Sequence, residues 1–170
     1  MAPVQAIELT PHFTRSEATH LSVVLLLEDP HAKAGDIIYY FETFFGNVPA
    51  HTYEPAAIHA SDDLGPLTLA IVPPPQGAGH FEEEWRVDRD TQGDVIVKLE
   101  VHPRVVDAST PIGARVDLRR DGGGLIGSGR WFLPRPWHPL RQEYRFIVTW
   151  DLAAAPAGTW VVVSLSSRVL

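Results

Sequence analysis

Glu42 stands in the run Ile37-Ile38-Tyr39-Tyr40-Phe41-Glu42-Thr43-Phe44-Phe45, where both faces of an extended strand are apolar or aromatic. A strand of that kind is buried on both sides, and a carboxyl held there without a cation is pushed toward its neutral form. An acid poised near neutrality serves as a general acid or base. The plainer alternative is an edge position whose carboxylate reaches solvent or an arginine. A second group lies in His102-Pro103-Arg104-Val105-Val106-Asp107, where a strand runs into a loop with an imidazole, a guanidinium and a carboxylate close together. His102 shares its face with Lys98 and Glu100, so it reads either as a proton carrier or as one end of a salt-bridged strand stop.

Arg115, Asp117 and Arg119 alternate along one face of a further strand. Solvated, they form a surface charge ladder of little energetic weight, which is the favoured expectation. Covered, the same row holds a carboxylate or phenolate bidentately. Trp131, Trp137 and His138 frame the proline-rich stretch Phe132–Pro136, either as a rigid aromatic lid over an apolar ligand or as the closed end of the fold. His12 and His20, and likewise His51 and His59, are eight residues apart, so each pair shares a strand face. A zinc site needs three or four converging ligands, and local spacing supplies no third, so no metal is expected. Gly122-Gly123-Gly124 and Gly127-Ser128-Gly129 lack the lysine and following helix of a phosphate loop and predict a hairpin turn or bulge. No nucleotide loop or other cofactor motif is present, so no cofactor is expected.

The 170 residues are 45% hydrophobic and suffice for one globular domain, expected to span residues 1–170. A formal charge of −7 argues against a nucleic-acid partner. The absence of cysteine removes disulfides, thiolate nucleophiles and Cys-ligated metals. Residues 1–5 show no secretory signal, and the longest apolar stretch, Leu21–Leu27, falls far short of a membrane span. The expectation is a cytoplasmic protein with no membrane partner.

Thirteen glycines and fifteen prolines punctuate short apolar runs, which suits strands joined by turns. Val95, Val97, Leu99 and Val101 fall on one face against Asp94, Lys98, Glu100 and His102; Ile112–Arg119 and Tyr144–Trp150 alternate likewise. Period two over such lengths predicts half-buried antiparallel strands. Further strands are expected at Gln5–Leu9, His20–Glu28, Ile37–Phe45, Pro66–Val72, Glu83–Asp88, Gly124–Leu133 and Thr159–Ser167, with at most a turn or two of helix in Glu54–Asp62. About ten such strands predict an all-β, antiparallel two-sheet β-sandwich, with a closed β-barrel as the alternative. Residues 73–79 read as an exposed Pro/Gly loop between two halves of one domain.

From about Trp85 onward the chain resembles the N-terminal β-domain of the M61 (glycyl aminopeptidase) family. The resemblance rests on Glu84-Trp85-Arg86-Val87, on Gly93–Val101, on the glycine-rich turn leading into Arg130-Trp131-Phe132-Leu133-Pro134, and on Val148–Leu152 followed by Pro156–Trp160. The Pro-Gly-x-Tyr element of that family is missing from Ile37–His51, and none of the eight histidines begins an H-E-x-x-H motif. The resemblance therefore implies a sandwich separated from the zinc peptidase domain, without peptidase activity. A fragment of a longer peptidase is the less favoured expectation, because the chain opens on Met1 and ends just after a strand.

Two functions follow. The first is a cofactor-independent enzyme acting on a small apolar or aromatic, polyketide-like molecule by isomerisation, cyclisation or addition–elimination. Glu42 or His102 moves the proton, with Asp117 alongside. Arg115 or Tyr40 stabilises oxyanion charge, and Phe44, Trp131, Trp137 and His138 pack the substrate. The second is a non-catalytic module that binds a partner protein or itself as a homodimer. An enclosed cavity with Glu42 and either His102 or Arg115 on its wall would separate the first from the second.

Overall fold

The structure, a computed structural model, describes residues 3–45, 48–50, 52–74, 82–105, 107–109, 117–137 and 144–163. Two long strands open it, β1 (Val4–Thr14) and β2 (Glu17–Leu27), joined by a tight turn at Arg15 and Ser16. Every second residue of β2 from Leu21 to Leu27 is buried while its neighbours are not, as period two demands. The other strands are β3 (Ile37–Glu42), β4 (Phe44–Phe45), β5 (Val48–Pro49), β6 (His59–Asp62), β7 (Gly65–Leu67), β8 (Leu69–Val72), β9 (Glu82–Val87), β10 (Val95–Val101), β11 (Arg119–Asp121), β12 (Gly124–Ile126), β13 (Arg135–Pro136) and β14 (Arg145–Trp150).

One sheet has six strands in the order β14-β1-β2-β10-β6-β7, and a second has four in the order β13-β3-β9-β8. Their inner faces meet in one core. Ile7, Leu9, Val23, Leu25, Val97 and Leu99 come from the first sheet, and Tyr39, Phe41, Trp85 and Val87 from the second. The Tyr39 hydroxyl bridges the layers by donating to Gln5 Oε1 at 3.1 Å. This is the expected β-sandwich, with no closed barrel. β11-β12 and β4-β5 form separate two-stranded hairpins, and the first is tied to β2 by the Ala18 amide, which donates to Gly123 O at 2.8 Å. The β11–β12 turn uses Gly122 and Gly123 at φ 55° and 85°, the left-handed backbone that a two-residue hairpin turn needs.

Several strands differ from expectation. β14 pairs parallel to β1, so the antiparallel rule has one exception. Gly124–Leu133 is a strand only to Ile126, and a 3-10 turn occupies Gly129–Trp131. The reason is local: a Cβ at Gly127 would sit 2.8 Å from Leu118 Cα, so the chain passes too close to its neighbour there to continue a ladder. Residues 159–163 are not paired as a strand, whereas a single 3-10 turn at Pro55–Ala57 agrees with the helical turn expected there. Pro73 is exposed; the rest of the loop from 75 to 79, and residues 112–116, lie outside the described residues.

Candidate functional site

The outer face of the four-stranded sheet carries Tyr40 and Glu42 on β3, opposite Glu84 and Glu82 on β9. β13 pairs along the other edge of β3 and sets Arg135 beside Tyr40, while the 3-10 turn before it delivers Arg130. Both guanidiniums converge on Glu42. Arg130 Nη2 donates to Oε1 at 2.8 Å and its Nε at 3.1 Å; Arg135 Nη2 donates to the same oxygen at 2.5 Å and reaches Glu82 at 3.3 Å. The Glu42 side chain is only 9% exposed. It is therefore buried as expected but not isolated: the arginine alternative is the one realised, and the premise of a carboxyl without a cation fails. Arg135 also lies 4.3 Å over the Tyr40 ring, and Arg130 lies 5.2 Å from the Trp131 ring. That use of both aromatics stiffens the clamp.

Of the other expected residues, His102 and Asp117 stand apart from it. His102 lies on the outer face of the other sheet, exposed, with Nε2 3.3 Å from Glu100. Asp117 is buried two residues before β11, its Oδ2 2.9 Å from Arg104 Nε without the alignment of a hydrogen bond. Burial pushes its carboxyl upward and Arg104 pulls it back. It is thus no part of an exposed charge ladder. Trp131 is buried, Trp137 is 41% exposed and meets the Tyr40 ring edge-on at 6.2 Å, and Phe44 is exposed on β4. Arg115 and His138 lie outside the described residues.

A buried acid that meets the original criterion does exist, on the neighbouring strand. Glu83 faces inward on β9, in register with Phe41, and is 8% exposed. Among the described residues its hydrogen-bond partner is the Trp85 indole, whose Nε1 donates at 3.0 Å. Desolvation raises its pKa, with the indole hydrogen bond acting in the opposite direction. The buried Tyr53 ring packs edge-on against Phe41 and Trp85, and its hydroxyl donates to the Phe132 carbonyl. Burial first, then the charges of Glu83 and Asp117, push the Tyr53 phenol upward. The signal was present in Glu82-Glu83-Glu84-Trp85-Arg86-Val87, where period two puts Glu83 on the same face as Trp85 and Val87.

A groove of about 530 Å³ lies elsewhere in the sandwich. Leu27, Ile37, Ile38, Trp137 and Tyr144 make its apolar wall, and Asp29, Asp36 and Arg86 stand at its rim. Neither Glu42, Glu83, Asp117 nor His102 lines it. No group of three or more His, Asp or Glu among the described residues has the geometry to hold a metal ion. On the outer face of β1, β2 and β10, however, His12, His20 and His102 stack ring on ring with centroids 4.3 and 4.9 Å apart. Stacked rings direct their in-plane lone pairs away from a common point, which is why three near histidines do not make a ligand set.

An all-β sandwich with its polar groups divided among a clamp, a core and two outer faces defines a scaffold class before it defines a chemistry. No family model matches the chain, and no curated protein does. Among solved structures it is similar to an aminopeptidase N family protein from Idiomarina loihiensis, with 11% identity and a TM-score of 0.51. The match covers 89% of this chain and 23% of that one, so the sandwich corresponds to under a quarter of the larger protein. That likeness supports the fold alone. No described helix is long and apolar enough to cross a membrane.

Proposed function

We propose that this chain is a non-catalytic β-sandwich module that works by protein–protein contact, related to the accessory β-domain of M61-type peptidases. The observation that carries this reading is the double arginine clamp on Glu42. The acid on which cofactor-free chemistry was to depend is paired with two cations, and it does not line the groove. A clamped carboxylate holds a strand in place; it does not shuttle protons. Exposed apolar side chains gather instead late in the chain, at Phe146, Ile147, Trp160, Val162 and Val163. They suit contact with another polypeptide.

The test is a thermal-shift and turnover screen against aromatic and polyketide-like compounds, run on the wild type and on Glu42→Gln. The expected result is no stabilising compound and no turnover, with Glu42→Gln less stable by about 1–3 kcal/mol through loss of charge-assisted hydrogen bonds. Turnover that disappears in Glu42→Gln while the fold persists would overturn the module reading.

A second reading is favoured by the uncompensated Glu83 beside Tyr53. It keeps the cofactor-free isomerase, cyclase or lyase but moves its acid from Glu42 to Glu83. On that reading Glu83→Gln rather than Glu42→Gln would abolish turnover.

A further inference from the structure

β14 is an edge of the six-stranded sheet, with β1 on one side and no described strand on the other. The amide of Arg145 donates to Pro3 O and that of Asp151 to Leu9 O, so residues 145, 147, 149 and 151 spend their backbone groups on β1. In a strand the alternate residues point the other way. The N–H and C=O groups of Phe146, Val148 and Trp150 are thus aimed off the sheet, where an edge invites another strand.

The side chains on this edge complement themselves. Arg145 and Asp151 are the sole charged residues between 144 and 163, and they bracket the strand with opposite signs. A second β14 laid antiparallel about a two-fold axis at Val148 keeps each residue on its own face and puts Arg145 opposite Asp151 twice. The same register sets Phe146, 53% exposed, opposite Trp150 twice. It also makes 146–150 and 148–148 the hydrogen-bonded pairs, which are the positions whose backbone groups are free to bond. Registers displaced by one residue would oppose inward- and outward-facing side chains. Displacement by two breaks both charge pairs. We propose that β14 pairs with the β14 of a second copy of this chain, joining two six-stranded sheets into one across an isologous interface. The inference rests on the module reading and names its partner.

Sedimentation velocity over about 1–200 µM tests it, a range chosen to bracket the weak affinities of small interfaces. The wild type is expected to shift from monomer to dimer with concentration. Because the chain has no cysteine, Val148→Cys should form an intermolecular disulfide on mild oxidation, while Thr159→Cys should not. Arg145→Glu and Asp151→Arg should each weaken self-association about tenfold, and an equimolar mixture of the two should recover the dimer as a heterodimer. Val148→Pro, which removes no bond to β1, should leave a folded monomer. A wild type that stays monomeric at 200 µM, or a dimer indifferent to all four substitutions at 145, 148 and 151, would overturn the proposal. Either outcome leaves the module reading in place with a different partner. Turnover lost in Glu42→Gln or Glu83→Gln would instead overturn the module reading, whatever the oligomeric state.

Discussion

Two glutamates one strand apart are buried to the same degree and are opposite in character. Glu42 faces outward from β3 into Arg130 and Arg135; Glu83 faces inward from β9 toward Trp85. Sequence pattern placed Glu42 among aromatics correctly but could not show its cations, which lie 88 and 93 residues further along the chain. The inward turn of Glu83 was legible from its own strand. The difference has a measurable sign. A carboxyl whose pKa is raised in the folded state favours folding fully below its unfolded pKa, and that contribution is lost as pH rises through the folded value. Once ionised, the buried Glu83 carboxylate therefore opposes the fold. Glu83→Gln keeps an oxygen to accept from the Trp85 indole and removes the charge. We expect it to stabilise the protein at pH 7–8 by on the order of 1 kcal/mol and to converge with the wild type near pH 4, as read by urea denaturation. A destabilised Glu83→Gln at pH 8 would mean that the carboxylate has a cationic partner after all.

At the scale of elements, the β1–β2 hairpin shows what periodicity can and cannot reach. The eight-residue spacing of His12 and His20 suggested one strand face shared by both, but they stand on the two strands of the hairpin. Their direct cross-strand pairing was not legible, nor was the addition of His102 from just past β10, since strand order is decided by the packing of whole sheets. His20 is stacked between His12 and His102, with Glu100 nearby; its other neighbours are the Thr19 hydroxyl and, along the hairpin, Arg15 and Glu17. Burial first, then the charges of His12 and His102, lower its pKa, and Glu100 opposes them. A lowered imidazole pKa means the folded state prefers the neutral ring. Stability is then highest above the unfolded value of about 6.5 and falls as pH drops below it. The turn adds its own cost, because Arg15 and Ser16 sit at φ 51° and 68° without being glycine. We expect the hairpin tip to loosen first on acidification. Amide exchange at residues 12–20 should accelerate between pH 6.5 and 5 relative to the sheet centre, after correction for intrinsic rates. His20→Phe, which keeps a stacking ring and loses the proton site, should flatten that acceleration; an equal response in both proteins would remove the stack as its cause.

The whole molecule was readable as a class more than as a topology. Period two and turn residues pointed to a two-sheet sandwich, and the inner face of β10 is the one alternation selected. The parallel β1–β14 pair was not legible, because it joins distant ends of the chain and local pattern carries no information on partner or direction. The same long-range pairing has a consequence for stability. The six-stranded sheet takes β1, β2, β6 and β7 from before residue 73 and β10 and β14 from after it; the four-stranded sheet interleaves the halves again, with β9 between β3 and β8. Neither half can close a layer without strands of the other, so the sandwich should unfold as one cooperative unit. Trp85 is the place to test this. It is fully buried on β9, meets Tyr39 and Tyr53 edge-on, and donates to Glu83. Trp85→Phe keeps an aromatic body while leaving a cavity and an unpartnered Glu83, at an expected cost of about 2–4 kcal/mol. If the layers are one unit, the urea midpoint should fall by the same amount whether followed by far-ultraviolet circular dichroism or by the fluorescence of the four remaining tryptophans. Non-coincident transitions would show that one sheet can persist without the other, and that the interleaved strand order does not bind the two halves into a single folding unit.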